Sequence, residues 1–135
     1  MRTVSVALVS LVLVASVAAA TPVRATLKTS SATPVAGQPW RWTVTVKDAA
    51  WKPLAARIRL QILVGVTVVG CWKGGAMAQC LDGSLGQWIS FKGKRNGILT
   101  WPAQSVGVKL TFRAIVVTAK RTLRLRAPVT VKPTS

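Results

Sequence analysis

The feature that most restricts the fold is a period of two. In residues 40–47 (WRWTVTVK), Trp42, Val44 and Val46 alternate with Arg41, Thr43 and Thr45. Successive side chains of a strand point to opposite faces, so this pattern describes a half-buried sheet strand. Residues 56–62 repeat it, with Ile58, Leu60 and Ile62 inward and Arg57, Arg59 and Gln61 outward. Residues 107–117 set Val108, Leu110, Phe112 and Ala114 against Lys109, Thr111 and Arg113, and residues 122–132 set Leu123, Leu125, Val129 and Val131 against Arg124 and Arg126. No segment carries the apolar stripe of an amphipathic helix. Turn signals separate the runs: residues 30–39, 48–53, Gly65, Gly74-Gly75, the stretch Gly93–Gly97 before a short strand at 98–101, and 119–121. About seven to eight short antiparallel strands spaced in this way predict an all-β, two-sheet sandwich. Among the tryptophans, Trp42 keeps phase with the core. Trp88 is out of phase with Ile89 and Phe91, and Trp51 and Trp72 are candidates for exposed rings.

The N-terminus has a different character. Met1-Arg2, an apolar run over 4–17 and Ala18-Ala19-Ala20 have the layout of a secretory signal peptide covering residues 1–20. An uncleaved anchor is the alternative. The domain is then 21–135, and the chain is expected to be secreted or held in the cell envelope, with no further membrane span. Residues 62–69 are apolar, but they have the length of a buried strand. Export permits a disulfide, and Cys71 and Cys80 are the only cysteines. Gly74-Gly75 lies between them and lets the chain turn back. Two thiols with no His or nearby acid fall short of a zinc site, so no metal or cofactor is expected.

Charge narrows the function classes. Of 19 Lys and Arg, only Arg2 precedes residue 21, and the acids are just Asp48 and Asp82. The chain has no Glu, His or Tyr. Such a surface attracts polyanions over a Debye length of about 8 Å at physiological salt. The same composition removes most groups that perform acid–base catalysis near neutral pH. A Ser-His-Asp triad is impossible, and a carboxylate pair would need Asp48 and Asp82 to converge. No catalytic residue is assigned, and the chain reads as a binder rather than an enzyme.

Residues 42–56 (WTVTVKDAAWKPLAA) resemble the B–C hairpin of bacterial immunoglobulin-like domains, and residues 127–132 (APVTVK) resemble their closing G strand. Trp51 stands where those domains usually carry Gly, and the antibody-type Cys-Trp-Cys arrangement is missing. The resemblance implies that strands C, F and G are neighbours in one sheet. Combined with the alternation, it puts Arg57, Arg59, Lys109, Arg113, Arg124 and Arg126 on one exposed face without an acid. This is the expected polyanion-binding surface.

The leading expectation is therefore a secreted or envelope-associated, non-catalytic binding module. Its partner would be an anionic cell-surface polymer or an acidic protein. The alternative is a structural or adhesive module whose charge is incidental. Nucleic acid is expected to bind only non-specifically, as it does to any polycation.

Overall fold

The computed structural model describes residues 22–134, so the expected signal peptide at 1–20 lies outside the described residues. Within them the alternation becomes nine strands: β1 (Arg24–Thr29), β2 (Pro39–Lys47), β3 (Ala55–Val64), β4 (Thr67–Lys73), β5 (Ala76–Gln79), β6 (Trp88–Lys92), β7 (Lys94–Thr100), β8 (Lys109–Val117) and β9 (Thr122–Thr130). A single 3-10 turn, Ala103–Ser105, is the only helical element among the described residues. One sheet has the order β1-β2-β7. The other runs β5-β4-β3-β8-β9, with β6 also paired to β3. All these ladders are antiparallel. The chain is an all-β sandwich.

Both sheets turn their apolar sides inward. Trp40, Trp42, Val44 and Val46 of β2 meet Ile58 and Leu60 of β3 and Phe112, Ala114 and Val116 of β8, all essentially inaccessible. The Trp40 ring meets the edges of Trp101 and Phe112 at 5.3 and 5.1 Å between centroids, and the Trp40 indole N–H donates to the Ser31 carbonyl at 2.7 Å. Edge-on aromatic pairs add about 0.5–1.5 kcal/mol each beyond their buried area. Trp72, expected to be a candidate for exposure, instead packs inward. It lies 6.4 Å from Trp42 in an edge-on arrangement, because its partner Met77 across the hairpin also faces the core.

The edge of β3 is shared. Its first half pairs with β6 and its second half with β4, and the β4 pairing shifts register between Ile62 and Leu63. Residues 42–56 are not a hairpin. β2 and β3 belong to different sheets, and Asp48–Leu54 carries the chain between them. Asp48 shapes this crossing by accepting from the N–H groups of Ala50 and Lys52 at 2.8 and 2.9 Å. Trp51 takes the left-handed conformation, with φ of 64°, that the resemblance assigns to Gly.

A second crossing is shorter. Residues 93–97 were expected to be a turn, yet only Gly93 separates β6 from β7, and Lys94, Arg95 and Asn96 pair with β2. Gly93 packs against Pro53 so closely that a Cβ there would lie 2.7 Å from the proline Cβ. The turn signal was real, but one residue suffices when neighbouring backbone holds it on both sides. Val46 donates to the Gly93 carbonyl and Gly93 to that of Leu54.

Cys71 and Cys80 form the expected disulfide, closing the β4–β5 hairpin with Cα atoms 5.7 Å apart. Gly74 and Gly75 both have positive φ, as a two-residue turn of type I′ requires. A ring this small contributes about 2.5–3 kcal/mol in the loop-entropy description. The segment after Cys80 folds back across the outside of β3 and β4, and Gln87 donates from its N–H to the Trp72 carbonyl at 2.8 Å.

Candidate anion-binding faces

The register settles where the six expected cations lie. Gln61, Arg113 and Arg126 stand in one cross-strand row of β3-β8-β9. Arg59, Ile115 and Arg124 form the next, and Arg57, Val117 and Thr122 the third. Paired residues share a face, and these rows lie opposite in phase to buried Ile58, Leu60, Ala114 and Val116. Arg57, Arg59, Arg113, Arg124 and Arg126 therefore crowd one outward face. Lys109 is on the same face but pairs with Thr130 at the other end of β8, roughly 13 Å along the strand from Arg113.

Trp88 completes this surface. It pairs with Arg59 from the edge strand β6 and faces outward, out of phase with buried Ile89. The guanidinium carbons of Arg59 and Arg57 lie 4.2 and 4.6 Å from the centre of its ring. The indole thus contacts two like-charged guanidiniums. The phase of Trp88 against Ile89 was legible in the sequence. Its cross-strand partner was not.

Gln61 departs from the expected alternation. It faces outward by register yet is only 1 % exposed, because the segment after Cys80 covers it. Its side-chain N–H donates to the Leu85 carbonyl at 2.8 Å, and its Oε1 accepts from Arg113 Nε at 3.0 Å and from Arg113 Nη2. The acceptor is a neutral amide, so Arg113 is oriented without being neutralised. Burial first, and then the charges of Arg126 and Arg124, hold the Arg113 guanidinium below its ordinary value. Like charges directly opposite on a sheet are unfavourable, and Arg113 faces Arg126 in register.

The two carboxylates are placed elsewhere. Asp48 Oδ1 is taken up by its own turn. Asp82 accepts from the Ser84 N–H at 3.1 Å and pairs with Lys73 at 3.5 Å. These two interactions hold its carboxyl below the usual carboxylate range, the Ser84 hydrogen bond most of all.

The opposite sheet carries a second basic surface that the sequence reading passed over. The outward side of β1-β2-β7 is a shallow concavity of about 710 Å³, lined by Arg24, Lys28, Lys47 and Lys94 together with three threonines, and Lys92 and Trp51 stand at its margin. The signal was present as outward Thr and Lys at period two in residues 26–28 and 43–47. Lys94 was hidden by its assignment to a turn.

An apolar cleft of about 460 Å³ lies between β4–β5 and residues 99–105, with Ile62, Met77, Leu81, Trp101 and Leu110 in its walls and no charged residue. It offers an anion no charged partner. No family model matches the chain, and no curated protein matches it significantly.

Proposed function

We propose that the domain is a non-catalytic immunoglobulin-like binding module of the cell envelope or secreted space. It docks on an anionic surface polymer through the outward face of β3-β8-β9. The observation that carries this reading is the guanidinium cluster itself. Arg57, Arg59, Arg113, Arg124 and Arg126 share a face whose register includes no acid, and Arg113 is held by a neutral amide. A face built of like charges is unfavourable to itself, and a bound polyanion relieves that repulsion. Arginine also matches carboxylate, sulfate and phosphate oxygens with paired N–H donors.

The strand orders support the immunoglobulin-like reading, since β3, β8 and β9 adjoin as C, F and G do, and β1, β2 and β7 as A, B and E do. The Cys71–Cys80 disulfide agrees with export.

The test is binding of residues 21–135 to an anionic-polymer panel as a function of salt, beside a variant with Arg57, Arg59, Arg124 and Arg126 changed to Gln. Loss of binding by a natively folded variant is the expected result. Equal, weak and salt-erased binding by both proteins would return the charge to an incidental role and favour the structural or adhesive reading.

A further inference from the structure

The concave side of β1-β2-β7 differs from the arginine face in shape and chemistry. Arg24 is directly opposite Lys47, Thr26 and Thr45 lie in one row with Lys94, and Lys28 is opposite Thr43. Successive rows are about 6.8 Å apart along the strands. The surface is thus a ladder in which every row has a cation and two of the rows have hydroxyls. Lysines are compact charges that accept an oxyanion from many directions, and threonine hydroxyls both donate and accept hydrogen bonds. Asp48, the acid nearest in sequence, is turned into its own loop.

At one end of the ladder stands Trp51. It is 63 % exposed and lies outside the core cluster, yet it occupies a left-handed backbone conformation that any side chain beyond Gly adopts at a cost. The Arg24 guanidinium lies 4.4 Å from the ring centre. An exposed aromatic oriented by a cation at the rim of a basic concavity offers a ring on which a sugar can stack.

We propose that this concavity is a second binding site, for a linear glycan bearing carboxylate or sulfate groups. A sugar ring stacks on Trp51, the threonines meet sugar hydroxyls, and Lys28, Lys47 and Lys94 take successive acidic substituents. A single aromatic platform beside a hydroxyl strip favours a sugar chain over single-stranded nucleic acid, which is bound by aromatic rings in series. The two basic surfaces lie on opposite sides of the sandwich, so one domain holds two polymer strands. That bridging rests on the arginine-face reading. The second site does not.

Four proteins distinguish the outcomes: the wild type, an arginine-face variant (Arg57, Arg59, Arg124 and Arg126 to Gln), the same variant with Trp51→Ala added, and a concave-face variant (Lys28, Lys47 and Lys94 to Gln), all checked for native near-ultraviolet circular dichroism. Titration with heparin and with polygalacturonate gives stoichiometry for sulfate and carboxylate glycans, and oligo(dT) and dextran are the nucleic-acid and neutral comparisons. Wild type is expected to bind two glycan segments and to make solutions of long polymer turbid. The concave-face variant is expected to bind one segment and leave them clear. In the arginine-face background, Trp51→Ala should weaken the remaining glycan binding roughly tenfold. Unchanged stoichiometry in the concave-face variant overturns the second site, as does preferential binding of oligo(dT) there. So does complete loss of binding in the arginine-face variant, which leaves the proposed function standing. Undiminished binding by the arginine-face variant, abolished by the concave substitutions, removes the arginine-face reading instead and keeps this site.

Discussion

Arg59 lies across the indole of Trp88, its cross-strand partner, with the guanidinium carbon 4.2 Å from the ring centre. The contact fixes a cation on the surface and covers an aromatic ring that would otherwise be wet. A double-mutant cycle between Arg59→Gln and Trp88→Ala, read by urea unfolding, is expected to give a coupling of about 0.5–1 kcal/mol. Additive effects of the two substitutions would show that the ring and the cation are neighbours without interacting.

Trp51 should behave unlike the core tryptophans. Replacing it by Gly relieves a left-handed conformation costing about 1–2 kcal/mol and forfeits stacking by Arg24 of about 0.5–1 kcal/mol. Thermal unfolding of Trp51→Gly is therefore expected at or slightly above the wild-type midpoint. Trp42→Ala, in contrast, should lose about 3–5 kcal/mol. A large loss from Trp51→Gly would mean that the exposed ring supports the fold.

Gly97 faces Trp42 across the β2–β7 ladder, and a Cβ at that position would stand 2.6 Å from the indole Cζ2. No rotation of a methyl avoids this contact, so the buried ring or the strand must move. Gly97→Ala should cost about 1–3 kcal/mol by denaturant unfolding, a penalty of overpacking.

Gln61 joins the covering segment to the arginine face, with Leu85 on one side and Arg113 on the other. Gln61→Leu keeps its bulk and removes both functions, leaving the Leu85 carbonyl and a half-buried guanidinium without their partner. Destabilisation of about 2–3 kcal/mol is expected, together with faster proteolysis between Leu81 and Gln87. Unchanged protease resistance would show that the segment is held without Gln61, by its contacts with Trp72 and Lys73.

Asp82 sets a dependence on acid. Its carboxyl is held below the ordinary value, chiefly by the Ser84 N–H and then by Lys73, so folding favours the ionised form. That contribution is complete above the unfolded value of about 3.9 and is lost as pH falls through the lower folded value. Wild type should thus lose stability faster than Asp82→Asn below about pH 4, with the two curves parallel above about pH 5. Urea midpoints across this range check it.

The alternation in residues 40–47 and 107–117 was enough to read the inward and outward sides of β2 and β8, because a strand buried on one face has only one workable register. The same rule put Arg57, Arg59, Lys109, Arg113, Arg124 and Arg126 on the outward side of the larger sheet. It failed at Gln61, where the strand keeps its phase but a distant segment supplies the burial. It failed again at Lys94–Asn96, where a Gly-flanked basic run looked like a turn and is a strand. The concavity around Lys47 and Lys94 was missed for a third reason. Its cations come from strands that are far apart in sequence, and only pairing through β2 makes them one surface.

The edges of the larger sheet are short or interrupted: β5 has four residues, β6 has five, and β9 contains Pro128. Where copies of a small domain are crowded together, unpaired backbone on one molecule recruits that of the next. A four-residue strand offers little to extend, and a proline supplies no N–H at its position. The edges of this sheet are therefore poor templates for joining copies into a continuous sheet.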